Sequence, residues 1–65
     1  MLSGTQRKVL YELKQGPRTS LQLSQAAKVS IGMVQFAVSI LRKNDIKIFT
    51  VGAWPYYHYE YAAKQ

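Results

Sequence analysis

The chain has 65 residues, 48% of them hydrophobic and 12% aromatic, with nine Lys and Arg against three Asp and Glu and no cysteine. This excludes a disordered segment, a disulfide framework and a thiolate metal site, and it allows one small domain with a modest core. A net charge of +6 favours a polyanionic partner: DNA, RNA or an acidic protein.

No apolar run approaches the ~20 residues of a membrane span. The first residues, MLSGTQRKVLYEL, lack the shape of a cleavable signal peptide. The expectation is a cytoplasmic, nucleoid-associated protein with no membrane partner.

Ser3 followed by Gln6 has capping-box spacing and predicts a helix over about residues 4–15. Val9, Leu10 and Leu13 form its inner stripe, with Gln6 or Tyr11 at the margin. Lys8, Glu12 and Lys14 face water. Gly16 is expected to take the left-handed cap conformation, and Pro17 forbids continuation.

Arg18 precedes a second capping box, Thr19 with Gln22, and a short helix over about residues 20–27. The turn Lys28-Val29-Ser30 leads to a longer helix, about residues 31–44, with Ser30 as its N-cap. A left-handed residue is common in such a turn, and a non-glycine residue there costs on the order of 1 kcal/mol. Lys28 therefore predicts a turn that departs from the usual geometry. Leu23, Ala27, Val29, Val34, Ala37, Val38 and Leu41 recur where two packed helices would bury them, the pattern of a helix-turn-helix. The outward positions of the third helix are Gly32, Gln35, Phe36, Ser39 and Arg42, flanked by Ile31, Met33, Ile40 and Lys43. Several are apolar, so either a following hairpin or a second chain covers part of that face.

Ile46-Lys47-Ile48-Phe49-Thr50-Val51 alternates and is rich in β-branched residues, which predicts a strand over about 46–51. Gly52-Ala53-Trp54-Pro55 supplies a turn, and about residues 56–61 return. Tyr57, Tyr59 and Tyr61 share one face; Tyr56, His58 and Glu60 share the other. Ile46, Ile48, Tyr59 and Tyr61 are placed towards the helices. Residues 62–65 are expected to form a loose tail.

Three helices and a two-stranded hairpin make an α+β chain that resembles the winged helix-turn-helix superfamily over about residues 3–61. The resemblance rests on Leu23-Ser24-Gln25-Ala26-Ala27-Lys28-Val29-Ser30, then Val34, Val38, Leu41 and Ile46. It is similar to the "LA…GIS…TV…L..L…G.I" pattern of microbial and phage regulators. Ser24 and Lys28 stand where that pattern has Ala and Gly. The outward face of the third helix lacks the Arg, Lys and Asn that commonly read bases.

The resemblance implies a third helix lying in the major groove of double-stranded DNA. Ser30, Gly32, Met33, Gln35, Phe36 and Ser39 are then the candidates for base contact. Gln35 suits adenine, Ser39 either base, and Phe36 or Met33 a thymine methyl. Arg18, Thr19, Lys28, Arg42, Lys43 and Lys47 are the candidates for phosphate contact. Trp54, Tyr56 and His58 belong to the wing, where an aromatic side chain packs on a sugar or base. The apolar surplus on the third helix, with the wing aromatics, implies a homodimer or another protein partner.

His58 alone makes neither a metal site nor a catalytic dyad, and Glu12, Asp45 and Glu60 are scattered. No enzyme, metal, cofactor or small-molecule ligand is expected. The functional expectation is a sequence-dependent transcriptional regulator. The alternatives are a protein-interaction module on the same fold, or nucleic-acid binding without sequence preference.

Overall fold

The computed structural model describes residues 2–62. Three helices, α1 (Gly4–Gln15), α2 (Ser20–Ala27) and α3 (Ile31–Lys43), precede two antiparallel strands, β1 (Ile48–Val51) and β2 (His58–Tyr61). This α+β layout is compatible with a winged helix. No single helix among the described residues is long and apolar enough to cross a membrane.

Both predicted capping boxes form. Ser3 and Thr19 accept from the Gln6 and Gln22 amides at 3.2 and 3.1 Å, and each glutamine side chain returns to the cap amide. Ser30 caps α3 by accepting from the Met33 amide. Two free amides per helix start are thereby satisfied where the box is complete.

Helix α1 ends differently from expectation. Gly16 has φ 154° and ψ 177°, an extended backbone of opposite hand rather than the left-handed cap. The cause lies downstream. The chain must straighten to bring Arg18 beside Tyr59, and these two residues exchange backbone hydrogen bonds of 3.1 and 2.8 Å. Lys28, conversely, takes the left-handed conformation at φ 59° and ψ 45°. The turn keeps its usual geometry, and the lysine absorbs the strain. Ser24 also fits: its hydroxyl donates to the Leu21 carbonyl at 2.8 Å, so the buried oxygen has a partner. Helices α2 and α3 meet at 98°.

These two backbone positions predict opposite stability effects. Gly16→Ala is expected to lower stability by about 1–3 kcal/mol, because the conformation is open essentially only to glycine. The added methyl itself would meet only an ordinary contact with the Arg18 side chain. Lys28→Gly is expected to raise stability by roughly 0.5–1 kcal/mol, the relieved strain being partly offset by glycine's chain entropy. Urea midpoints should move in opposite directions; a shared direction would refute the account of the two turns.

Both strands are shorter than predicted, the first because of how α3 ends and the second because of the turn between them. Asn44 is the cap residue, not the last helical one, and its side-chain amide holds the Ile40 carbonyl at 2.8 Å. Asp45 turns left-handed at φ 65°. The Asp45 and Ile46 amides then bond the Arg42 and Leu41 carbonyls, both at 3.1 Å. This is a Schellman closure with aspartate where glycine is usual. The Ile46 amide is spent on the helix, so the ladder starts only at Ile48. It runs Ile48–Tyr61, Phe49–Glu60, Thr50–Tyr59 and Val51–His58. At the far end the turn occupies more residues than Gly52 to Pro55. The Tyr56 amide bonds the Ala53 carbonyl at 2.7 Å, and β2 begins at His58.

Val9, Leu13, Leu23, Val34, Ala37, Val38, Leu41, Ile48 and Tyr59 are buried together. Leu10, Val29, Ile46 and Tyr61 pack against them half-exposed. Ala27 is also half-buried, short of the full burial its spacing predicts. Glu12 does not simply face water: it lies 3.4 Å from Lys8 and 3.6 Å from Arg18. Ala62, expected to begin a loose tail, donates its amide to the Lys47 carbonyl at 3.0 Å. The rest of that expected tail, residues 63–65, lies outside the described residues.

Candidate nucleic-acid interface

The inner stripe of α3 uses Val34, Ala37, Val38 and Leu41. The remaining positions then fall into three bands around the outer surface. Ile31, Gln35 and Arg42 form the band nearest the hairpin. Gly32, Ser39 and Lys43 form the middle. Met33, Phe36 and Ile40, at i, i+3 and i+7, form the band away from the hairpin. Met33 is 50% and Phe36 63% exposed, and Ile40 is half-buried. The apolar surplus of the third helix is therefore confined largely to one side and leaves its middle polar. Among the base-contact candidates, Gly32, Met33, Gln35, Phe36 and Ser39 are all exposed. Ser30 is exposed too, but its hydroxyl oxygen is occupied as the cap.

The phosphate-contact candidates divide. Lys28, Lys43 and Lys47 are exposed and make no ion pair among the described residues. Arg42 is instead a brace. Its Nε donates to the Ile48 carbonyl at 2.9 Å and its Nη2 to the Thr50 hydroxyl at 3.0 Å. The guanidinium also sits 5.8 Å from the Tyr59 ring centre, within cation–π range. Arg18 is likewise occupied, by the Pro17 carbonyl at 2.9 Å and by Glu12. The Thr19 hydroxyl is occupied as a cap. His58, a wing candidate, pairs through Nε2 with the Glu60 carboxylate at 2.8 Å. Strand alternation puts these two side chains on one face, which brings them together.

A cleft of about 240 Å³ opens where α2, α3 and the hairpin tip converge. Ser20 and Leu21 contribute from the first turn of α2, with Thr19 at the rim. Ile31 and Gln35 contribute from α3, and Trp54, Pro55 and Tyr57 from the hairpin. Trp54 and Tyr56 stand 82% and 88% exposed at the tip, and the Trp54–Pro55 peptide is cis. The polar centre of the cleft is the Tyr57 hydroxyl, 3.3 Å from Ser20 Oγ and 3.4 Å from Gln35 Nε2. Hydrogen bonds from Ser20, and then from Gln35, hold this phenol below its ordinary pKa. Burial pushes the neighbouring Tyr59 phenol up. The two rings meet edge to face at 5.7 Å between centroids.

The cleft thus joins Thr19, Gln35 and Trp54, three residues singled out from the sequence for separate reasons. Ser20, Leu21 and Tyr57 are the lining residues that sequence reasoning missed. Tyr57 lies on the inward face with Tyr59, as its alternation predicts. It sits beyond the ladder's end, however, and its ring passes the core to reach α2 and α3. The one signal for this was its position beside the turn. Compared with known proteins, this chain matches no family model, no curated protein and no solved structure.

Proposed function

We propose that the chain is a small double-stranded DNA-binding protein of the winged helix-turn-helix kind, acting as a transcriptional regulator at the nucleoid. One observation carries the reading. The start of α2, the outer side of α3 and the aromatic tip of the hairpin border a common cleft, so these elements face a partner together. A helix for the groove, a helix start beside it and a wing are the parts such docking uses. The charge of +6 and Lys28, Lys43 and Lys47, which make no ion pair among the described residues, supply the attraction to phosphate. Gln35 and Ser39 are the side chains best placed to read base edges, from the polar middle of the helix and its hairpin side.

A domain of this size makes few contacts, and a symmetric dimer on two half-sites would add both affinity and specificity. Light scattering at high micromolar concentration, with and without duplex, tests that part. A monomer in both conditions overturns it.

The direct test is binding to mixed-sequence duplex at a series of salt concentrations. Affinity should fall steeply as salt rises, because each neutralised phosphate releases counterions. Undetectable binding at low salt would sink the proposal. The band formed by Met33, Phe36 and Ile40 favours a second reading, a protein-interaction module on the same fold. In that case a partner covers the apolar side of α3 and the charge is incidental.

A further inference from the structure

We propose that the cleft between α2, α3 and the hairpin tip receives a single unpaired nucleobase, a deepening that rests on the DNA-binding reading above. Its size sets the scale. At about 240 Å³ it falls short of the roughly 300–1,000 Å³ typical of drug-sized pockets. One aromatic ring system fits that scale better than a larger ligand.

The chemistry of the walls selects the ring. Trp54, 82% exposed, offers an indole face on which a base of any kind can stack. Leu21 and Ile31, both exposed, add aliphatic surface to the lining. A carboxamide carries one acceptor oxygen and two N–H donors. Gln35 uses one donor on Tyr57, which leaves an acceptor and a donor for the edge of a base.

Tyr57 adds a further donor. Gln35 Nε2 can only donate, so the Tyr57 oxygen accepts from it. Ser20 Oγ has the same phenol oxygen within reach, with either hydroxyl able to donate, and when Ser20 donates the two lone pairs accept both bonds. The Tyr57 hydroxyl proton is then free to point at a carbonyl of the ligand. Both bonds, at 3.3 and 3.4 Å, are long, so a ligand can tighten or replace them at little cost. At the rim, the Ser20 and Leu21 amides belong to the first turn of α2 and have no acceptor within their helix. They suit the phosphate of the same nucleotide, in keeping with a chain of net charge +6.

The test uses three duplexes of one sequence: fully paired, with one central unpaired thymine, and with an abasic sugar in place of that thymine. The readout is the affinity ratio of the thymine bulge to the abasic bulge, which cancels any general change in duplex binding. The wild-type ratio is expected to be on the order of tenfold, the scale of one base–aromatic stack. The fluorescence of Trp54, the chain's single tryptophan, should be quenched by the thymine bulge and not by the abasic one. Trp54→Ala and Gln35→Ala should each bring the ratio towards one. A wild-type ratio near one, or a ratio that persists in both variants, overturns the cleft as a base site. Failure of the paired duplex to bind at low salt overturns the duplex reading instead. Failure of all three overturns both.

Discussion

Leu41→Ala is expected to leave the chain largely unfolded at 37 °C, or to lower its melting temperature by tens of degrees. Leu41 is fully buried on α3. Truncating such a leucine costs about 2–5 kcal/mol, through lost transfer energy and the cavity left behind. A chain of 65 residues has on the order of 3–10 kcal/mol in total, so one side chain represents a large share of it. Collapse around the cavity is resisted from two directions. The Leu41 carbonyl takes the Ile46 amide in the turn that closes α3, which fixes the backbone there. Ile48 and Tyr59 of the hairpin are buried in the same cluster. Phe36→Ala is the matched control. It removes a larger side chain from the same helix, but one 63% exposed, and should shift stability by no more than about 0.5 kcal/mol. Thermal and urea unfolding followed by circular dichroism give both values. Equal losses in the two variants would mean that the inner and outer faces of α3 are wrongly assigned.

Replacing Lys28, Lys43 and Lys47 together by alanine is expected to flatten the salt dependence of duplex binding by about 2.7 in log–log slope, near 0.9 per lost phosphate contact. Between 50 and 200 mM salt, the variant should lose roughly 40-fold less affinity than the wild type. Arg42→Ala should behave differently, although arginine at a helix end invites the same role. Its guanidinium is already bonded to Ile48 and Thr50. The expected result is a loss of roughly 1–2 kcal/mol of stability with little change in slope. If Arg42→Ala flattens the slope as much as a lysine does, the brace releases on binding and the arginine meets phosphate after all.

The contrast between these residues shows which parts of the molecule are readable locally. Ser3 with Gln6 and Thr19 with Gln22 announce helix starts because both partners lie within one turn. Val34, Val38 and Leu41 announce the inner face of α3 through periodicity alone. Asp45 announces nothing, since left-handed aspartate is tolerated rather than demanded, and the alternating pattern alone therefore places the strand start two residues before Ile48. Gly16 announces a stop, but its conformation depends on Tyr59, much later in the chain. Arg42 and Tyr57 find their partners across elements, and their types alone fit a phosphate contact and a core position equally well. The candidate site suffers most from this, because it is made where α2, α3 and the hairpin converge.

Arg18 and Arg42 also guard the edges of the sheet. A two-stranded sheet has two open flanks, and each can recruit a further strand from another molecule. Here the flank of β2 is taken by the Arg18 main chain, paired with Tyr59. The flank of β1 is met by the Arg42 side chain, which occupies the Ile48 carbonyl and covers Thr50. Ile48-Phe49-Thr50-Val51 would otherwise be an adhesive segment, with Phe49 and Val51 already exposed. Growth of the sheet into a ribbon of copies is thus impeded at Tyr59 on one flank and at Ile48 on the other. A copy of this chain that added a strand at either flank would first have to displace these Arg18 and Arg42 contacts.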